Sequence, residues 1–202
     1  MAFVIRLCAA LAAALALAAC DRAPVGADKP AFKAVDITGA DYARTLSLPD
    51  AEGKVRTLAD FKGKVTVLFF GYTQCPDVCP TTMAELAEVK RSLGKDGERV
   101  QGVFVTIDPE RDTPQLLKNY ITAFDPSFVA LRGSDAQTKA VAKEFKVYYA
   151  KVEGRTPGSY TMDHTAGSFI YDTQGRLRLF TRYGGGAQAL ASDLRALLNE
   201  GA

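Results

Sequence analysis

Val65-Thr66-Val67-Leu68-Phe69-Phe70-Gly71-Tyr72-Thr73-Gln74-Cys75-Pro76-Asp77-Val78-Cys79-Pro80 decides how this chain folds. Its first six residues are an unbroken apolar, β-branched and aromatic run, the pattern of a strand covered on both faces at the centre of an α/β sheet. The run stops at a glycine, and a helix-patterned stretch from about Thr81 to Leu93 follows, with Met83, Leu86, Ala87 and Leu93 on one side. A second apolar run, Val100 to Ile107, completes a βαβ unit. Upstream, Leu46 to Pro49 and Val55 to Leu58 flank Asp50-Ala51-Glu52-Gly53 and read as a short hairpin with a glycine-containing turn. Downstream, Thr113-Pro114 opens a helix through Phe124, and Ala136 to Phe145 forms another. Ser168 to Tyr171 and Leu177 to Phe180 form an antiparallel hairpin across Asp172-Thr173-Gln174-Gly175, and Ala189 to Leu198 is a last helix. Parallel βαβ, antiparallel hairpin and terminal helix, in that order, predict a thioredoxin-like α/β fold. It comprises a central mixed sheet flanked by helices, with an N-terminal hairpin extension.

The 202 residues, 48% of them hydrophobic, suffice for one substantial core. A net charge of +2 without a basic block offers no footprint for a phosphate backbone, so nucleic acid is not expected as a partner. The single histidine excludes a triple-histidine zinc site. After Arg6, a small-residue apolar run from Leu7 to Ala19 falls short of the ~20 residues that cross a bilayer and reads as a secretory signal, residues 1–19. Leu17-Ala18-Ala19-Cys20 resembles the lipobox of bacterial lipoproteins, in which the cysteine is acylated after cleavage; a cleaved signal ending in an unmodified cysteine is the alternative. Residues 20–36 are then a lipidated flexible tether, and 37–202 the folded domain. This predicts a lipid anchor in the cytoplasmic membrane, with the domain on its periplasmic face.

Of the four cysteines, Cys8 leaves with the signal and Cys20 carries lipid, so thiol chemistry belongs to Cys75 and Cys79. Both sit at a strand-to-helix corner, and Cys79 at the positive end of a helix is expected to have a lowered pKa. Pro80 suits the first turn of that helix and Thr82-Met83-Ala84-Glu85 is a capping-box pattern, two signals that place its start slightly differently. Three intervening residues let both sulfurs aim at one external point, whereas two are the familiar spacing of a readily cycling disulfide. Soft thiolates select Cu(I), and one added imidazole makes a three-coordinate site that also accommodates Cu(II). A structural disulfide between Cys75 and Cys79 is the alternative left open by spacing.

The chain resembles the Sco/SenC family of copper chaperones for cytochrome c oxidase assembly. The resemblance runs through Ile37-Thr38-Gly39-Ala40-Asp41-Tyr42, Gly71 to Pro80, Val105-Thr106-Ile107-Asp108-Pro109-Glu110-Arg111-Asp112-Thr113-Pro114 and Asp163-His164-Thr165. Gln74 departs from it, since many members carry histidine there, but that position is not a family ligand. The resemblance implies a thioredoxin-like fold and copper, as Cu(I) or Cu(II), held by Cys75, Cys79 and His164. Asp77 and Asp163 are candidates to orient the imidazole or tune the thiols, each equally readable as a turn residue. Asp112 or Thr113 is expected to cap the following helix, with site support or partner docking as a second role for this loop. Tyr148, Tyr149 and Tyr160 would form a docking surface only if they cluster; strand and loop packing is the other reading.

The expected function is metallochaperone rather than enzyme, assisting assembly of the dinuclear copper site of cytochrome c oxidase subunit II. Other periplasmic copper chaperones or thiol reductants are expected as further partners. Thiol-disulfide reduction of the oxidase's copper-site cysteines, redox sensing and, more weakly, thiol peroxidase activity are the alternatives that the same cysteine pair supports.

Overall fold

The computed structural model describes residues 31–201. The signal segment 1–19, Cys20 and most of the tether lie outside the described residues. The elements run β1 (Val35–Asp36), β2 (Ser47–Pro49), β3 (Val55–Thr57), β4 (Val65–Gly71), α1 (Val78–Ser92), β5 (Val100–Thr106), α2 (Pro114–Thr122), β6 (Val129–Leu131), α3 (Asp135–Glu144), β7 (Tyr149–Glu153), β8 (Tyr160–His164), β9 (Gly167–Tyr171), β10 (Leu177–Arg182) and α4 (Ala187–Glu200).

The central sheet has the order β1-β10-β9-β4-β5-β6. Strand β4 pairs in parallel with β5, from Val65 opposite Val100 to Gly71 opposite Thr106, and β5 pairs in parallel with β6. On the other side β9 runs antiparallel to β4, β10 antiparallel to β9, and β1 antiparallel to β10. Every residue of β4 and β5 is buried, as suits two largely apolar central strands, including the polar Thr66, Gln101 and Thr106. This is the thioredoxin-like arrangement, with helices packed on a mixed sheet.

The two tight turns share one device. In Asp50-Ala51-Glu52-Gly53 the Asp50 carboxylate accepts from the Glu52 and Lys54 backbone N–H groups and from the Arg56 guanidinium. In Asp172-Thr173-Gln174-Gly175 the Asp172 carboxylate accepts from the Gln174 and Arg176 N–H groups and from the Arg176 side chain, with Arg178 as a second cation. Each carboxylate satisfies backbone donors that the turn leaves without strand partners.

Two boundaries and one group of strands differ from the expected ones. The folded unit begins near Phe32 rather than at residue 37. Lys33 and Ala34 donate their N–H groups to the buried Asp193 carboxylate at 2.8 Å each, and β1 pairs with β10. Helix α1 begins at Val78, so Thr82 lies inside it and bonds back to the Val78 carbonyl at 2.7 Å instead of capping. Strand β6 and the β7–β8 hairpin form where no strand was expected; β7 alternates too weakly, with most of its residues exposed, to announce itself. Among the described residues no helix is long and apolar enough to cross a membrane.

Candidate metal centre

The site forms because two chain segments meet at the end of β4. The first is the corner Tyr72 to Asp77, which carries β4 into α1. Gly71 is required there by close approach. A Cβ on it would lie 2.9 Å from the Cys79 sulfur, 2.8 Å from the Phe69 ring and 2.9 Å from the Phe104 ring. The glycine lets the thiol pack against the sheet. The Cys75 N–H donates to the Tyr72 carbonyl at 3.3 Å, and the Cys79 N–H points to the Cys75 sulfur at 3.4 Å.

The second segment enters by strand direction. Because β9 is antiparallel to β4, its start lies beside the end of β4, with Ser168 opposite Phe69. His164, three residues ahead of β9 and the last residue of β8, is thereby delivered to the cysteine corner. Its ring stands edge-on to Phe69 and Tyr72, with centroids 5.9 and 6.1 Å apart. Nδ1 lies 3.0 Å from the Thr165 carbonyl oxygen. A carbonyl only accepts, so Nδ1 carries the hydrogen and Nε2 presents its lone pair, 3.6 Å from the Cys79 sulfur.

The sulfurs of Cys75 and Cys79 and a ring nitrogen of His164 all lie within 4.8 Å of one another. A trigonal metal about 2.3 Å from each sulfur and about 2.0 Å from the nitrogen needs roughly 4.0 Å between sulfurs and roughly 3.7 Å from sulfur to nitrogen. The Cys79 sulfur and Nε2, 3.6 Å apart, already meet that separation, and the Cys75 sulfur lies near enough to complete the set with shifts of about an ångström or less. Both cysteines are free thiols, Cys75 half-buried and Cys79 fully buried. The donor set is two sulfurs and one imidazole with no carboxylate, which selects a soft metal. Among the described residues no other group of three or more histidine, cysteine or acidic side chains converges in this way.

The electrostatics overturn one expectation. Cys79 does sit in the first turn of α1, but its pKa is raised far above the ordinary thiol value, not lowered. Burial is the main cause, and Cys75 and Asp112 add to it. Desolvation outweighs the partial charge of the helix end. His164 is shifted the other way: burial lowers its pKa, against the opposing effects of the Thr165 carbonyl and Asp163. Without metal the site holds a protonated Cys79 and a neutral imidazole, so a metal that takes the thiolate must displace a proton.

Neither acidic candidate contacts the imidazole. Asp163 is exposed and acts on His164 only through its charge. Asp77 stands at the start of α1, where its carbonyl accepts from Thr81 N–H and its carboxylate lies 3.4 Å from the Thr81 hydroxyl. The Thr165 carbonyl orients the ring instead. Asp112 plays the part that sequence reasoning divided between a cap and site support. Thr113 is the N-cap of α2, accepting from Leu116 N–H. Asp112 is fully buried and holds the cysteine corner: its carboxylate accepts from Thr73 N–H, from the Thr73 hydroxyl at 2.6 Å and from the Thr106 hydroxyl at 2.5 Å. Of the three tyrosines, Tyr148 is 66% exposed, whereas Tyr149 and Tyr160 are half-buried, so they form no common exposed patch.

The family model SCO1/SenC matches residues 35–199. The SCO2-like protein of Rickettsia felis is 38% identical over 139 residues, which are 68% of this chain and 66% of that protein. The chain thus spans just under two thirds of that relative's length. Among solved structures, Bradyrhizobium japonicum ScoI with copper bound is 42% identical, with a TM-score of 0.68, covering 76% of this chain and 97% of the other. A SCO1/SenC family lipoprotein from Bacillus anthracis is 25% identical with a TM-score of 0.64, over 76% of this chain and 92% of that one.

Proposed function

Because the chain belongs to the SCO1/SenC family, we propose that it is a copper metallochaperone, binding Cu(I) or Cu(II) through Cys75, Cys79 and His164. The observation that carries this is the convergence of two thiols and one imidazole nitrogen within 4.8 Å at the end of β4. The two thiolates are the minimal set for Cu(I), and the imidazole adds the third donor that Cu(II) needs. The copper-bound state of the B. japonicum relative supports the choice of metal.

Copper here is cargo, and the residues divide its handling. Cys75, half-buried, is the accessible entry and exit ligand, whereas Cys79 is sealed by the sheet and gives up its proton only to a metal that repays desolvation. His164 needs no deprotonation, because burial keeps it neutral and Nε2 is already presented. Residues 1–19 act as the export signal, Cys20 carries lipid, and the stretch up to Phe32 tethers the domain on the periplasmic face of the cytoplasmic membrane. The B. anthracis lipoprotein supports such an anchor. The acceptor is the dinuclear copper site of cytochrome c oxidase subunit II, in line with the family resemblance.

Titration of the reduced full chain with Cu(I) and Cu(II) tests the binding. One tight site per chain is expected, lost with Cys75→Ser or Cys79→Ser. Oxidase activity in a deletion strain, restored by the wild-type gene and not by those variants, tests the acceptor. A mass spectrum of membrane-extracted protein showing unmodified Cys20 would remove the anchor.

A second reading, reduction of the acceptor's copper-site disulfide, is favoured by one observation. The more accessible Cys75 sulfur has the Cys79 N–H directed at it, an arrangement that stabilises an attacking thiolate. A Cys75/Cys79 couple less reducing than the acceptor's disulfide would end this reading.

A further inference from the structure

The loop from Asp108 to Asp112, between β5 and α2, touches both halves of the metal site. Asp112 holds the cysteine corner through Thr73, as described above. The other residues reach the opposite way, to the hairpin that ends in His164. The Asp108 carboxylate accepts from the Tyr160 hydroxyl at 2.9 Å, and Glu110 pairs with Lys151 of β7.

Arg111 is where the two directions meet. Its Nε donates to Asp108 at 2.5 Å, and Nη1 donates to the Tyr160 backbone carbonyl at 2.8 Å and to the Gln74 side-chain oxygen at 3.3 Å. Gln74 immediately precedes Cys75, and Tyr160 begins the strand that His164 ends. The guanidinium also lies 3.5 Å from the Tyr160 ring centroid and 5.7 Å from that of Tyr72, and Tyr72 in turn stands edge-on to the His164 ring. Nη2 is buried without a hydrogen-bond partner. A surface arginine serving only as a solvated charge would not keep a donor buried and unmatched; the planar fork is held for its other contacts.

From these contacts we infer that Arg111 is a positioning residue that sets the separation between the cysteine pair and His164. This deepens the proposed copper site and rests on that reading for its metal-bound consequences. The hairpin has no place in the central sheet; buried Met162, the His164 ring edges and the Asp108–Tyr160 and Glu110–Lys151 contacts hold it, and Arg111 alone bonds both Tyr160 and the residue before Cys75. Cu(I), satisfied by two thiolates, is nearly indifferent to the brace. Cu(II), which needs the imidazole, depends on it.

The test uses the reduced full chain purified in detergent, as wild type, Arg111→Met and Arg111→Lys. In the metal-free proteins, amide hydrogen exchange is followed by mass spectrometry. For Arg111→Met, segments 72–79 and 160–165 should exchange about tenfold faster or more, while β4 and α4 keep their wild-type rates. In copper titrations the same variant should lose about 10- to 100-fold in Cu(II) affinity, with Cu(I) affinity changed far less and the sulfur-to-Cu(II) charge-transfer band displaced. Arg111→Lys, which keeps the charge but not the fork, should fall between. Unchanged exchange in the two segments would overturn the inference, as would acceleration spread evenly over the fold, which marks a merely structural residue. Equal losses for Cu(I) and Cu(II) would overturn it as well. A wild-type protein that binds no copper would sink the chaperone reading instead, and the metal-free exchange would still decide the role of Arg111.

Discussion

The cysteine corner and the histidine hairpin supply one site but are built by different physics. The corner continues β4, a strand buried along its whole length, and Cys79 is fully buried beside Gly71, where an added carbon would meet its sulfur and the Phe69 and Phe104 rings. Its geometry is fixed by close packing, where a single added carbon collides, and by the fully buried Asp112 carboxylate that holds Thr73. The hairpin β7–β8 is a two-stranded sheet apart from the main one, with a largely exposed first strand. Its place is fixed by one buried side chain, Met162, a few polar contacts and two aromatic edges. The thiols are therefore constant features of the fold, while the imidazole is held by a smaller set of interactions. The difference matches the demands of the metal: two thiolates hold Cu(I) unaided, and the third donor is the one whose position the protein can regulate.

Breaking the packed side should have the largest effects. Cys79→Ser replaces the buried sulfur by a hard hydroxyl and should abolish binding of both copper states, read by titration of the reduced chain. Asp112→Ala leaves the Thr73 N–H and two hydroxyls at Thr73 and Thr106 without their acceptor, and should cost about 3 kcal/mol of stability by denaturant unfolding. Gly71→Ala forces a methyl against the Cys79 sulfur and two rings, and should cost about 1–3 kcal/mol while weakening Cu(I) and Cu(II) binding together. A smaller effect concerns pH. Backbone N–H groups and the guanidiniums of Arg56 and Arg176 lower the pKa values of Asp50 and Asp172, overcoming the burial that raises them. A depressed carboxylate contributes stability that is present above its unfolded value of about 3.9 and lost as pH falls through the folded one. Metal-free protein should thus lose stability below about pH 4, and Asp172→Asn should flatten that slope in acid titrations followed by circular dichroism.

The same contrast explains what could be read from the sequence. The packed side was legible because burial leaves a pattern: the run Val65 to Phe70, the glycine after it and the cysteines at the corner reveal strand, turn and helix. The first turn of α1 was legible in position but not in its chemistry. Nothing in Cys75-Pro76-Asp77-Val78-Cys79 tells that Cys79 is desolvated enough for burial to outweigh the helix end. The hairpin leaves no comparable pattern, because exposed short strands need no apolar alternation, and it is mainly the family resemblance that points to His164. Asp163, its sequence neighbour, was the natural candidate to orient the ring, yet successive strand residues point to opposite faces, and the adjacent Thr165 carbonyl does that work. Asp108-Pro109-Glu110-Arg111-Asp112 read as the approach to a helix cap. Its second role depends on contacts 39 and 49 residues away in the chain, from Asp112 to Thr73 and from Arg111 to Tyr160, which no local pattern encodes.

The most direct test of the account is a paired titration of wild type and His164→Ala, reduced and at equal concentration, with Cu(I) under a competing chelator and with Cu(II) followed by its sulfur charge-transfer band. The account predicts that His164→Ala loses about 100-fold or more in Cu(II) affinity, together with the wild-type spectrum, while Cu(I) affinity falls by no more than about tenfold. Unchanged Cu(II) affinity and spectrum in His164→Ala would contradict it, since the imidazole would then have no part in the site that Cys75 and Cys79 begin.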